Sequence, residues 1–156
     1  MVRHYPDRVM REYRLAVLTA VSALALAVIG ALVDPEGGAL ACPDWPLCRG
    51  EALPALTGRV LVEHGHRLVA LAVAALTGAL AVAVWRRRTE AGLRRLALGA
   101  VALVAAQAAI GAASVLLGLP DVARVGHLVT AMAFFAVVVH LAMRLRPAAP
   151  AAPARA

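Results

Sequence analysis

Leu96–Leu119 reads LALGAVALVAAQAAIGAASVLLGL, twenty-four residues without a formal charge and with Gln107 as the most polar side chain. A helix needs about 20 apolar residues to cross roughly 30 Å of hydrocarbon, and this run supplies them. Three other runs match it. Leu15–Val33 and Leu68–Trp85 carry no charge, and Val125–Met143 carries none unless its two histidines are protonated. Over the chain, 62% of 156 residues are hydrophobic and the mean hydropathy is +0.79. Soluble domains run near 45–50% apolar. The expected fold class is therefore all-α: one four-helix transmembrane bundle, with helices near 15–33, 63–86, 94–118 and 124–145.

Outward from these runs, residues 1–14 read as a polar arm, about 34–62 as the longest loop, and 146–156 as a disordered Ala/Pro tail. Asp34-Pro35-Glu36-Gly37-Gly38 is expected to end the first helix, and Gly118, Pro120 and Asp121 to turn the chain between the last two. Leu56–Val62 is expected to lie along the membrane interface. The first run ends in no A-x-A site, so a retained span is expected rather than a cleaved leader.

A formal charge of +7 invites a nucleic-acid reading, but its distribution argues against one. Twelve of the sixteen arginines lie in the arm, the Arg86–Arg95 turn and the tail, against only Asp7, Glu12 and Glu90. The other two connections carry four arginines against six acids. The positive-inside rule then puts both termini in the cytoplasm. The basic charge is topological, with anionic membrane lipid as its partner. The expected location is the plasma membrane of a prokaryote.

Ala41–Arg49, ACPDWPLCR, then lies outside, where disulfides persist. Two cysteines cannot complete a four-ligand structural zinc site. A Cys42–Cys48 disulfide is the favoured reading, with free thiols as the alternative.

Glu63-His64-Gly65-His66-Arg67 opens the second helix, and Gly126-His127 opens the fourth. His66 and His127 each fall about one turn inside the outer end, at matching depth. An imidazole in a bilayer is costly without a partner, and two facing histidines suit axial ligation of a haem iron. Hydrogen bonding to backbone or water is the competing reading. Glu63 shares a helix face with His66 at a spacing of three. It can orient the imidazole, transfer protons, or pair with Arg67 or Arg59. Arg67 suits a haem propionate, or snorkelling to headgroups. His64 points away from His66 and reads as interfacial. His140 lies thirteen residues beyond His127, ~20 Å along the axis, near the inner face, and reads as a lone packed histidine, with ligation of a second haem together with another chain as the alternative. Gln107 reads as an interhelical hydrogen-bonding group with a possible substrate contact. Ile29-Gly30-Ala31 and Ile110-Gly111-Ala112, taken with the two Gly-His pairs, mark a faint internal repeat. The chain therefore reads as two similar helical hairpins.

These motifs resemble the haem A synthase family, integral membrane enzymes that convert haem O to haem A for cytochrome oxidases. The resemblance runs from Gly30 to His140. It is carried by Gly38–Gly50, Glu63–Arg67, Gln107–Leu116 and Gly126-His127-Leu128. It implies that His66 and His127 ligate haem iron, that Glu63 is the acid needed for oxidation, and that Cys42 and Cys48 are the loop cysteine pair; Arg67 and Gln107 stand beside them as candidate haem-binding residues from their own chemistry. It also implies oxidation of the C8 methyl of haem O to a formyl group, with haem B as resident cofactor. A haem O synthase and an unknown electron acceptor are the implied partners. Typical members have eight helices in two halves, so this chain resembles a compact, half-length, four-helix member. Separate substrate and cofactor haems would then require a homo-oligomer, or one site must do both jobs. Where the family often carries an Arg and a Thr after the first helix, this chain has Val33-Asp34-Pro35-Glu36. Two other classes fit parts of the pattern. One is a bis-histidine b-type cytochrome that leaves haem unmodified. The other is a quinone-linked thiol oxidoreductase, which lacks the second cysteine pair it would need.

Overall fold

The computed structural model describes residues 7–33, 41–118 and 121–147, with the side chains of residues 7–9 and 121 left out. It is all-helical: α1 (Asp7–Ala31), α2 (Gly58–Arg87), α3 (Ala91–Leu117) and α4 (Asp121–Leu145). All four are long and apolar enough to cross a membrane. α1 packs on α2, α2 on α3, α3 on α4, and α4 closes the ring against α1. The diagonal pairs, α1 with α3 and α2 with α4, have no backbone approach within 8 Å among the described residues. Because each helix packs on both ring neighbours, the packing does not single out a pairing into hairpins.

All four helices start earlier than the charge pattern predicted, α3 and α4 by three residues and α1 and α2 by more. α1 runs back to Asp7 through the polar arm. No Gly or Pro interrupts Asp7–Ile29, and Glu12 is drawn in, buried and ion-paired with Arg88 at 2.5 Å. α2 begins at Gly58, so most of Leu56–Val62 forms the first turn of α2. Arg59 does not stop it, because Arg is a good helix former and an exposed first turn keeps it in water. The expected stop at 34–38, the Pro120 turn and the tail beyond 147 lie outside the described residues. α3 ends on Gly118 in the left-handed region, where a residue without a Cβ is unstrained.

Packing is uneven along the bundle. Ala16, Leu80, Val84, Leu93, Ala97, Leu141 and Leu145 are buried at the end carrying the Arg86–Arg95 turn. Ala23, Val73, Ala100, Phe134 and Val138 form the next level. Beyond it, towards the Cys42–Cys48 end, no described apolar side chain of the four helices is buried. Well-packed interiors leave little space, so this half of the bundle lacks the side chains that would close it. His66 and His127 lie in that half.

At the opposite end, Arg94 stacks 5.0 Å from the Trp85 ring centroid and donates to the carbonyls of Arg88 and Trp85 at 2.7 and 3.0 Å. Arg144 pairs with Glu90.

Candidate functional site: a clamped disulfide loop and two histidines

Residues 41–57 fold back onto α2 as a small platform. Cys42 and Cys48 form a disulfide, and both are fully buried. The chain then reverses at Arg49 and Gly50, whose φ values are 56° and 80°. Paired bonds close the turn, Cys48 N–H to Glu51 O at 3.0 Å and Glu51 N–H to Cys48 O at 3.1 Å. A positive φ at Arg49 is costly for a residue with a Cβ. Asp44 offsets that cost by accepting N–H groups from Arg49 at 2.6 Å and Gly50 at 2.8 Å. Arg49 Nε also donates to Ala41 O at 3.0 Å.

The Gly50 N–H holds the Asp44 carboxyl below its ordinary value of 3.8, with the Arg49 N–H and the Arg67 charge adding to it against the opposing effect of burial. A carboxylate depressed in the folded state contributes above its unfolded pKa and loses that contribution as pH falls through its folded value. The loop is therefore expected to protect the buried disulfide evenly above pH 3.8 and to open below it. The rate of Cys42–Cys48 reduction by a phosphine, which acts in acid, measures this. Asp44→Asn should be reduced faster at every pH and lose the acid rise. An unchanged pH profile in that variant would contradict the role given to Asp44.

α2 grips the platform with two side chains one turn apart. The buried Glu63 carboxylate accepts the N–H of Ala41 at 2.7 Å and of Cys42 at 2.9 Å. Arg67 takes the carbonyls: Nη1 donates to Asp44 O at 2.6 Å and Leu47 O at 2.5 Å, and Nη2 to Cys42 O at 2.9 Å. An anion gathers amides and a cation gathers carbonyls, each bond strengthened by charge. Nη1 and Nη2 of Arg67 are thus turned to the loop carbonyls. His64 is corrected from interfacial to buried. It lies under the loop with Nε2 3.0 Å from Ala52 O.

His66 and His127 project from the diagonal helices α2 and α4. They lie eight and six residues inside their helices rather than one turn, because both helices start earlier than expected. Nδ1 of each ring is buried without a hydrogen-bond partner, as is Nδ1 of His64 beneath the loop, a state that costs free energy unless something else engages the ring. Glycine lies beside both rings, Gly30 of α1 at His66 and Gly111 of α3 at His127. Gln107 joins α3 to α4 here. Its Nε2 donates to His127 O at 3.0 Å and to Thr130 Oγ1, and Thr130 Oγ1 donates to Gly126 O at 2.8 Å. His140 is corrected from packed to exposed, on the outside of α4.

Orphaned imidazole nitrogens, glycines beside both rings and a half-bundle not closed by side chains together fit a planar, metal-bearing group between α2 and α4. Asp44, Gly30 and Thr130 were missed as site residues in the sequence. The signals were present: an acid before an Arg-Gly turn, and the repeated Ile-Gly-Ala.

Residues 56–156 match the family COX15-CtaA, cytochrome oxidase assembly protein. The chain belongs to this family. Heme A synthase of Symbiobacterium thermophilum is 44% identical over 97 residues, 60% of this chain and 30% of that protein. Heme A synthase of Bacillus licheniformis is 35% identical over 106 residues, 67% of this chain and 35% of that protein. A protein named Protoheme IX farnesyltransferase, from Chloroflexus aurantiacus, is 40% identical over 114 residues, 72% of this chain and 19% of that protein. The chain thus spans about a third of the length of the Heme A synthases it matches. No solved structure matches it.

Proposed function

We propose that this member of the COX15-CtaA family acts in haem A formation as a membrane oxidoreductase. It would oxidise the C8 methyl of haem O to a formyl group, with His66 and His127 holding a haem iron. The observation that carries the reading is that the diagonal helices α2 and α4 each bring a half-buried imidazole with an unpartnered Nδ1 to the half of the bundle that no buried apolar side chain closes. The named relatives give the reaction class. The farnesyltransferase relative adds that a chain like this one can share a polypeptide with an activity on protohaem, which accords with a prenylated substrate.

When bound, haem supplies the redox-active iron. His66 of α2 and His127 of α4 would hold it, and Gln107 and Thr130 fix the backbone at His127. Glu63 and Arg67 seat the disulfide loop over the end of α2 nearest the histidines, which keeps water from that end. Glu63 Oε1 and Oε2 each accept one loop amide and keep a lone pair, so the carboxylate can take a proton released in the oxidation. Turning a methyl into a formyl group with water as oxygen source releases four protons and four electrons, so an external electron acceptor is required.

The orientation belongs to the same proposal: both termini inside and the loop outside, in a prokaryotic plasma membrane. A membrane-impermeant thiol reagent should label the loop in intact cells once its disulfide is reduced. Labelling only after membrane disruption would reverse the orientation. Among the described residues one diagonal histidine pair is present, and a homo-oligomer would bring a second such pair alongside it. Native mass measurement in mild detergent tests for that homo-oligomer, and a fully active monomer would exclude it. The reaction itself is tested by extracting haem from cells that make this chain together with haem O.

A further inference from the structure

Gly30 and Gly111 occupy matching places in the internal repeat, yet the space around them differs. A Cβ built on Gly30 meets His66 at three ring atoms, Cε1 at 3.0 Å, Nδ1 at 3.5 Å and Nε2 at 3.9 Å. A Cβ built on Gly111 meets only Cε1 of His127, at 3.7 Å, an ordinary contact. Neither glycine has a positive φ, so the backbone does not call for glycine at either place. Small residues let membrane helices approach one another in general. That does not explain Gly30, because Gly65, Gly78, Gly99 and Gly126 of the same bundle have nothing within 4 Å of a built Cβ.

The second difference is polar. Four residues before Gly111 stands Gln107, and three after His127 stands Thr130, which together pin the His127 carbonyl. The matching residues on the other side are Leu26 and Val69, which pack as hydrophobics and offer no such bond. His127 is thus fixed through its backbone, whereas the His66 ring lies directly against α1.

We infer that Gly30 is the positioning residue for His66: the missing Cβ lets the imidazole lie on the α1 backbone and sets its ring orientation, and Gly111 has no equivalent role. This rests on the reading of His66 as a haem ligand. The contact itself can be tested without haem.

The haem-free test is a double-mutant cycle on the purified full chain. Thermal midpoints are compared for wild type, Gly30→Ala, His66→Ala and the double variant. Gly30→Ala should lower the midpoint by at least about 2 °C in the wild-type background, and by little where His66 is already alanine, because neighbours in contact are not additive. An equal loss in both backgrounds would assign Gly30 to helix packing and overturn the inference, as would no loss in either. If Gly30→Ala fails to accumulate, accumulation of the double variant supports the contact, and failure of both overturns it.

The second test loads haem B. Gly30→Ala should shift the low-spin electron paramagnetic resonance signal and pass haem to apomyoglobin about tenfold faster or more, the usual scale for residues that orient a metal ligand. Gly111→Ala should keep the wild-type signal, with transfer within about twofold of it. Wild-type behaviour in Gly30→Ala would overturn the positioning role. A wild type without any low-spin signal would instead refute ligation by His66, leaving the Gly30–His66 contact to be decided by the double-mutant cycle.

Discussion

Replacing His66 or His127 with alanine is expected to abolish the low-spin haem spectrum. The two imidazoles come from the diagonal helices α2 and α4, and neither of the other described histidines is placed to substitute for them. His64 cannot step in, because it is buried under the loop and bonded to Ala52 O. His140 cannot either, because it faces outward from α4. Loss of a direct ligand should exceed the 10–100-fold loss of affinity typical of outer-shell partners, so more than about a hundredfold is expected. Both alanine variants should still fold, since each removes a half-buried ring that bonds to nothing through Nδ1. Absorption and electron paramagnetic resonance of the purified variants check this. A wild-type low-spin spectrum in both single variants would remove these residues from the haem site.

Glu63→Gln is expected to retain haem and make no haem A. Two effects of the amide combine. It cannot accept a proton as a base, and it replaces one of two acceptor oxygens by a donor. Ala41 and Cys42 each donate to the carboxylate, so one of these amides would then face an N–H group. A buried donor left without a partner costs about 1–3 kcal/mol, enough to loosen the loop without unfolding four membrane helices. The variant should therefore show a wild-type haem spectrum, faster phosphine reduction of Cys42–Cys48, and no formyl product. Haem A formation at the wild-type rate would end the catalytic assignment. An unchanged rate of disulfide reduction would show that the two loop amides do not depend on the charge.

The sequence made the spans legible because charge-free runs of this length have one physical solution in lipid. The same rule hid the true starts of α1 and α2, since charge marks where hydrocarbon ends and not where a helix ends. The disulfide was legible from the cysteine pair and the side of the membrane on which it was placed. The clamp was not. Glu63 and Arg67, four apart, read as an ion pair or as haem contacts, and their partners are backbone amides and carbonyls some twenty residues earlier in the chain. Backbone groups carry no signature in sequence, so a side chain that recognises them cannot be paired by inspection. The histidines stood out by type, and the glycines beside them only as a weak repeat. What singles out Gly30 is a distance across two helices. His140 shows the converse limit: spacing gave its depth, but its side of the helix follows from how α4 packs.

The most direct measurement is chromatography of haems extracted from cells that make this chain together with a supply of haem O. The account predicts a haem A peak with the wild-type chain and none with Glu63→Gln. A purified chain that carries only haem B, in cells where supplied haem O is recovered unchanged, would contradict it and make this protein a haem-binding cytochrome instead.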